Sequence, residues 1–328
     1  MSWFKDLDKE SLIRLFTLIK NKTGKNSIFI EKDYVQSLIL NELTKYSDKF
    51  VFKGGTSLSR VHHVVNRFSE DLDISLFVDP SEGERRSATN YIKDIADKLG
   101  LAFDKRIENV RSKRMVNRFF FTYDSIFNQD LKQEVLVELS FIMKVYPIEQ
   151  KELGGIIYDF LNTKEGKQYN DLIIPAPTMV VQSLERTLVD KVFAICDYYL
   201  DKNTERQSRH LFDICKILPR VDFKSPEFNK LVNEVRFERL ENFNKSNGTH
   251  CKSAPFNFSI PEIINNLIKD RFFENDYKAK TTVLLYDNTP YDEIINNGIK
   301  KIADWGFPRS PLPEKEIQAD ITQSGEAL

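Results

Sequence analysis

No apolar run approaches the roughly 18 residues that a membrane span requires, so no transmembrane helix is expected. Cysteine is scarce: Cys196, Cys215 and Cys251 are odd in number and lack CxxC spacing. That excludes a disulfide framework and points to reduced, buried thiols. The opening Met1-Ser-Trp-Phe-Lys-Asp lacks the apolar core of a signal peptide, and a cytoplasmic location is expected. Of the four histidines none stands at ligand spacing. His62 and His63 diverge by about 100° on a helix, and His210 and His250 are isolated. No Ser-His-Asp or Cys-His arrangement follows from spacing. A formal net charge of −1 argues against a general nucleic-acid coat, and no internal repeat is present. What is there is a globular composition, 41% hydrophobic and 30% charged over 328 residues, long enough for two ordinary domains.

The most informative stretch runs from Phe50 to Leu76. Phe50-Val-Phe52 reads as a buried strand and Gly54-Gly55 as a turn. Thr56 or Ser57 then caps a short helix with Leu58, Val61, Val64 and Val65 on one face. A second strand follows, in which Asp71, Asp73 and Ser75 share one side and Leu72, Ile74 and Leu76 the other. Burial of the apolar set holds the two carboxylates together, roughly 6–7 Å apart at their Cα atoms. Two such groups repel unless a cation lies between them, and Mg²⁺, which brings phosphate oxygens with it, suits that need. The glycine turn can present backbone N–H groups at a helix N-terminus, where a triphosphate binds. Glycine turn and acid pair together, in this order, point to a metal–nucleotide site.

The expected architecture is α+β: a nucleotidyltransferase-type domain over 1–170 with a mixed sheet, a helical domain over 171–308, and a loose tail over 309–328. Residues 5–20 and 30–46 are expected as amphipathic helices, Pro80–Gly83 as a loop, and Ser87–Leu99 as a helix stopped by Gly100. Strands are expected near 101–108, 114–124 and 133–143. In the last, Val135, Val137, Leu139 and Phe141 alternate with Glu134, Leu136, Glu138 and Ser140, which makes Glu138 a candidate third carboxylate. Residues 105–118 carry six basic side chains against one acid. They read either as a basic hairpin against an RNA backbone or as an edge strand shielded by solvated charge. The Gly- and Pro-bearing segment 146–177 reads as a crossing between domains. Thr178–Leu200 and Ser208–Leu218 then read as long helices, with further helices near 226–243, 261–275 and 290–304.

On the first of these helices Thr187 and Lys191 are i and i+4, as are Arg209 and Asp213 on the next. Spacing alone allows two readings of Lys191: a phosphate-neutralising group, or an interhelical ion pair with Asp213.

Several of these segments together resemble a known family. They are Glu31-Lys-Asp-Tyr34, Lys53-Gly-Gly-Thr-Ser-Leu58, Arg67-Phe-Ser-Glu-Asp-Leu-Asp-Ile-Ser75, Glu185–Ala194 and Arg209-His-Leu-Phe-Asp213. In that order they resemble the AbiEii/AbiGii nucleotidyltransferase-like toxins and their MenT relatives, within the DNA polymerase β superfamily. The likeness covers about residues 28–220, and the final hundred carry no recognised motif. It implies a toxin of a toxin–antitoxin or phage abortive-infection pair that uses a nucleoside triphosphate and two Mg²⁺ ions. The acceptor it implies is the 3′ end of tRNA, blocking aminoacylation and translation, with a cognate AbiEi-like antitoxin encoded nearby.

By that resemblance Lys53, Gly54, Gly55, Thr56 and Ser57 match the phosphate turn, and Ser69, Asp71 and Asp73 the acidic motif. Lys191 and Asp213 match the downstream lysine and acid that the helical domain brings to the cleft. Glu138 is expected to join Asp71 and Asp73 as a metal ligand. Two alternatives are an enzyme that modifies a protein hydroxyl, as an AMPylase does, and a non-catalytic module that grips nucleotide or a partner.

Overall fold

Seven strands form one mixed sheet in the computed structural model, which describes residues 8–46, 49–77, 79–104, 116–128 and 130–307. The strands are β1 (Phe50–Lys53), β2 (Asp71–Leu76), β3 (Ala102–Asp104), β4 (Val116–Asp124), β5 (Lys132–Ser140), β6 (Ile148–Glu152) and β7 (Thr178–Gln182). Their spatial order, β3-β4-β5-β2-β1-β7-β6, puts β2 at the centre. It runs antiparallel to β1 and parallel to β5. Leu72 and Ile74 of β2 lie level with Val137 and Leu139 of β5, and all four are buried. The period-2 pattern of both strands therefore faces one core, and the polar alternates of both share the other face.

Helices α1 (Lys9–Thr23), α2 (Ser27–Tyr46), α3 (Gly54–Arg60), α4 (Glu82–Leu99) and α5 (Ile156–Leu161) complete this first unit. Asp8 caps α1 by accepting from the N–H groups of Glu10 and Ser11, and Gly24 closes it in the left-handed conformation. α2 is buried almost all round, so its polar side chains need partners. Glu31 accepts from Ile126 N–H and from the Ser125 hydroxyl in the β4–β5 connection. Asp33 pairs with Arg60 at 2.8 Å, and Gln36 donates to the carbonyls of Ser69 and Glu70 just before β2. The Glu31–Tyr34 motif is thus a fastening of the core helix to the strands beside it.

A second compact unit begins after Ser183. It contains α6 (Leu184–Leu200), α7 (Arg209–Ile217), α8 (Pro226–Lys245) and α9 (Ile260–Lys269), followed by short turns that end in the helix Lys300–Trp305. Its core includes Leu188, Val192, Ile195, Phe212, Ile214, Val232, Ile264, Leu267 and Trp305. Arg236 on α8 donates to the carbonyls of Ala254, Pro255 and Phe258, so one buried guanidinium holds the loop that follows the helix.

Four local expectations are corrected. The segment 146–177 is not a bare crossing: it contains β6, α5 and a 3₁₀ turn at Gly166–Leu172. Thr178–Gln182 is a strand pairing β1 and β6, and the helix expected from Thr178 starts only at Leu184. Its β-branched residues fit the pleat once neighbours lie on both sides. The helix expected at Ser87 starts at Glu82, because Ser81 and Glu84 form a reciprocal capping box. Of the three free thiols only Cys196 is buried, while Cys215 and Cys251 are half-buried. Most of the basic run 105–118, namely 105–115, and the tail 309–328 lie outside the described residues.

Candidate active site

The carboxylates share the polar face of the central strands. β2 carries Asp71 and Asp73 there, and the parallel pairing with β5 sets Asp73 level with Glu138. β1 sets Lys53 level with Asp73, and β4 sets Arg118 level with Glu138. Register partners share a face, so four adjacent strands carry one row: Arg118, Glu138, Asp73, Lys53. The two acids stand side by side in its middle with a cation at each end. Asp71 lies two residues along β2, on the same face.

Beyond the end of β1 the chain enters the glycine turn. Gly54 has φ +74°, and a Cβ there would overlap the Asp73 carboxylate. That carboxylate therefore packs directly on the Gly54 Cα. A Cβ on Gly55 would lie 2.5 Å from Nη2 of buried Arg67 and 3.1 Å from Ser69 Oγ, so both side chains sit against the same turn. Thr56 and Ser57 are buried: the Thr56 hydroxyl donates to the Asp71 carbonyl, and Ser57 Oγ donates to the Gly54 carbonyl at 3.0 Å. Both hydroxyls thus brace the turn. No side chain caps α3 at Lys53, so the first-turn N–H groups are the natural anion donors here.

The donor chemistry fits a hard divalent cation, since Asp71, Asp73 and Glu138 offer only carboxylate oxygens from one face. These oxygens are not converged on one point. Among the described residues no group of three or more His, Cys, Asp or Glu side chains is placed to hold a metal ion. The Glu138 carboxylate is instead engaged by the Arg118 guanidinium.

In the second unit, Lys191 Nζ lies 2.7 Å from Asp213 Oδ2 and 3.5 Å from His210 Nδ1. The lysine side chain is 7% exposed and the aspartate 0%. The ion pair that spacing offered as one reading is therefore present and buried. Arg186 is held by Asp190 and Glu238 on the same unit.

Two arginines escaped the sequence reading. Arg67 was visible only as part of a motif, and its place behind Gly55 depends on how α3 meets β2. Arg118 stood in the basic run. Three consecutive buried phenylalanines, Phe119–Phe121, follow it, so neither its face nor the strand beside it was legible.

A family model described as nucleotidyl transferase AbiEii toxin, type IV toxin–antitoxin system, matches residues 38–297. The match reaches well into the last hundred residues, where no motif was legible. Among solved structures the chain is similar to MenT4, a nucleotidyltransferase toxin from Mycobacterium tuberculosis H37Rv. The two are 16% identical, with 94% of this chain and 98% of that one covered and a TM-score of 0.58. At that identity the likeness speaks for the fold. No curated protein matches the chain.

Proposed function

Because the chain belongs to the AbiEii nucleotidyl transferase toxin family, and is a nucleotidyltransferase, we propose that it moves a nucleoside monophosphate from a triphosphate to the 3′ end of tRNA. The observation that carries this reading is the pairing of Asp73 with Glu138 beside a glycine turn that closes on Asp73. In the transfer, the terminal hydroxyl oxygen of the acceptor attacks the α-phosphorus, and the bond from that phosphorus to the bridging oxygen breaks. Pyrophosphate leaves with the electron pair, and the proton of the attacking hydroxyl is released to solvent.

Asp71, Asp73 and Glu138 would hold two Mg²⁺ ions. The chemistry such ions supply when bound is a lower pKa for the attacking hydroxyl and charge compensation for the departing pyrophosphate. The N–H groups of the half-buried Gly54 and Gly55 bind phosphate oxygens, with Ser69 beside them. The buried Thr56 and Ser57 hydroxyls fix the turn through its carbonyls. Lys53 adds positive charge at the end of the strand row. Within the second unit Asp213 holds the Lys191 ammonium in a buried ion pair. Extended acceptor ends cannot be aminoacylated, so translation stops, and a cognate antitoxin of the AbiEi type relieves the block.

Purified protein incubated with tRNA, Mg²⁺ and each α-labelled triphosphate in turn tests the reading. Label should enter material that RNase destroys and protease spares. Asp73→Asn should lower incorporation at least about a hundredfold while leaving the circular dichroism spectrum unchanged. Label that protease removes would reassign the acceptor to a protein hydroxyl. Incorporation undiminished in the folded variant would remove Asp73 from the chemistry.

A further inference from the structure

Glu138 already has a cation. Strands β4 and β5 pair antiparallel with Arg118 level with Glu138, and Arg118 Nε contacts Glu138 Oε1. The contact is part-exposed, with the arginine side chain 43% and the glutamate 25% accessible. On its other flank Glu138 is level with Asp73, the acid that packs on Gly54. A guanidinium cannot lose its proton at any ordinary pH, so this positive charge is permanent. A divalent ion taken up by the same carboxylate would stand within a few ångströms of it. Like charges repel, and the guanidinium must give up its oxygen or move.

We propose that Arg118 is the resident counter-cation of Glu138: it holds the third carboxylate in line in the ion-free protein, and a divalent cation must displace it to enter. Arg118 is in this sense a positioning residue that sets how tightly the acidic face takes metal. This inference rests on the reading of Asp71, Asp73 and Glu138 as the ion-binding face. It concerns a residue that neither the glycine turn nor the acid motif contains. Part-exposure keeps the ion pair weak, so the competition is a matter of fold-changes and not of an absolute block.

Direct Mn²⁺ binding to the purified full-length chain, followed by electron paramagnetic resonance of the free ion, tests it without any turnover. Arg118→Gln removes the charge, Arg118→Met removes it while keeping an apolar stem, and Arg118→Lys retains it. The two neutral variants should bind Mn²⁺ about 3- to 10-fold more tightly than the unmodified protein, and Arg118→Lys within about 2-fold of it. Equal or weaker binding in the neutral variants, with binding retained in the unmodified protein, overturns the inference alone. Absence of Mn²⁺ binding in every form overturns the ion-face reading as well. Tightening in Arg118→Lys equal to that in Arg118→Gln also counts against it, because the lost property would then not be charge.

Discussion

Gly54 is constrained from two directions. Its φ of +74° suits glycine and penalises any residue with a Cβ, and the place of that Cβ is taken by the Asp73 carboxylate. One residue thereby couples a turn to an acid on the neighbouring strand. Gly54→Ala should lower the unfolding free energy by at least about 1–2 kcal/mol from the backbone alone. It should also push Asp73 off the strand row and remove transferase activity. Urea denaturation checks the first outcome, and a variant as stable as the unmodified protein would contradict the packing. The acid pair and the glycines were legible as residues. That the Thr56 and Ser57 hydroxyls brace the backbone was not, because a hydroxyl's partner cannot be read from its position in a motif.

At the scale of elements, end signals were more legible than strand content. Gly100 closes α4 in the left-handed conformation where the stop was expected, whereas Gly24 closes α1 three residues beyond the end expected at 20. The start of α4 was misplaced by five residues because Pro80-Ser-Glu-Gly83 looks like a turn, yet Ser81 and Glu84 satisfy each other's N–H groups. Ser81→Ala should cost about 1 kcal/mol and lower the thermal midpoint by about 2–4 °C. Differential scanning calorimetry measures it, and an unchanged midpoint would mean the box contributes nothing. Thr178–Gln182 went the other way: five residues of mixed character before a strong helix read as its first turn. They are a strand because β1 and β6 offer pairing on both sides.

The whole molecule is two compact units, each with its own core, and the first is organised around α2. Burial pushes the Glu31 carboxyl above its usual 4.5, while the N–H of Ile126 and the Ser125 hydroxyl pull it down, and burial prevails. An acid whose folded pKa is raised binds its proton more tightly in the native state. Its stabilising contribution is therefore full below about pH 4.5 and is lost as pH rises through the folded value. Glu31→Gln removes this slope while keeping an acceptor for Ile126 N–H. The stability of the unmodified protein relative to this variant should fall between pH 4 and 7, as measured by urea midpoints across that range. A constant difference would show that Glu31 ionises in the fold as it does in water.

By itself the sequence determined which side of β2 carries Asp71 and Asp73, which side of β5 carries Glu138, and that Lys191 and Asp213 lie on consecutive helices. Alternation and helical spacing are local, and local periodicity survives in any fold that buries the apolar face. Only the tertiary structure decided that Asp73 lies level with Glu138, that Arg118 closes the row, and that Lys191 is bonded to Asp213. Those facts depend on which strands and helices become neighbours across long stretches of chain, and apolar patterning is satisfied equally well by many such choices.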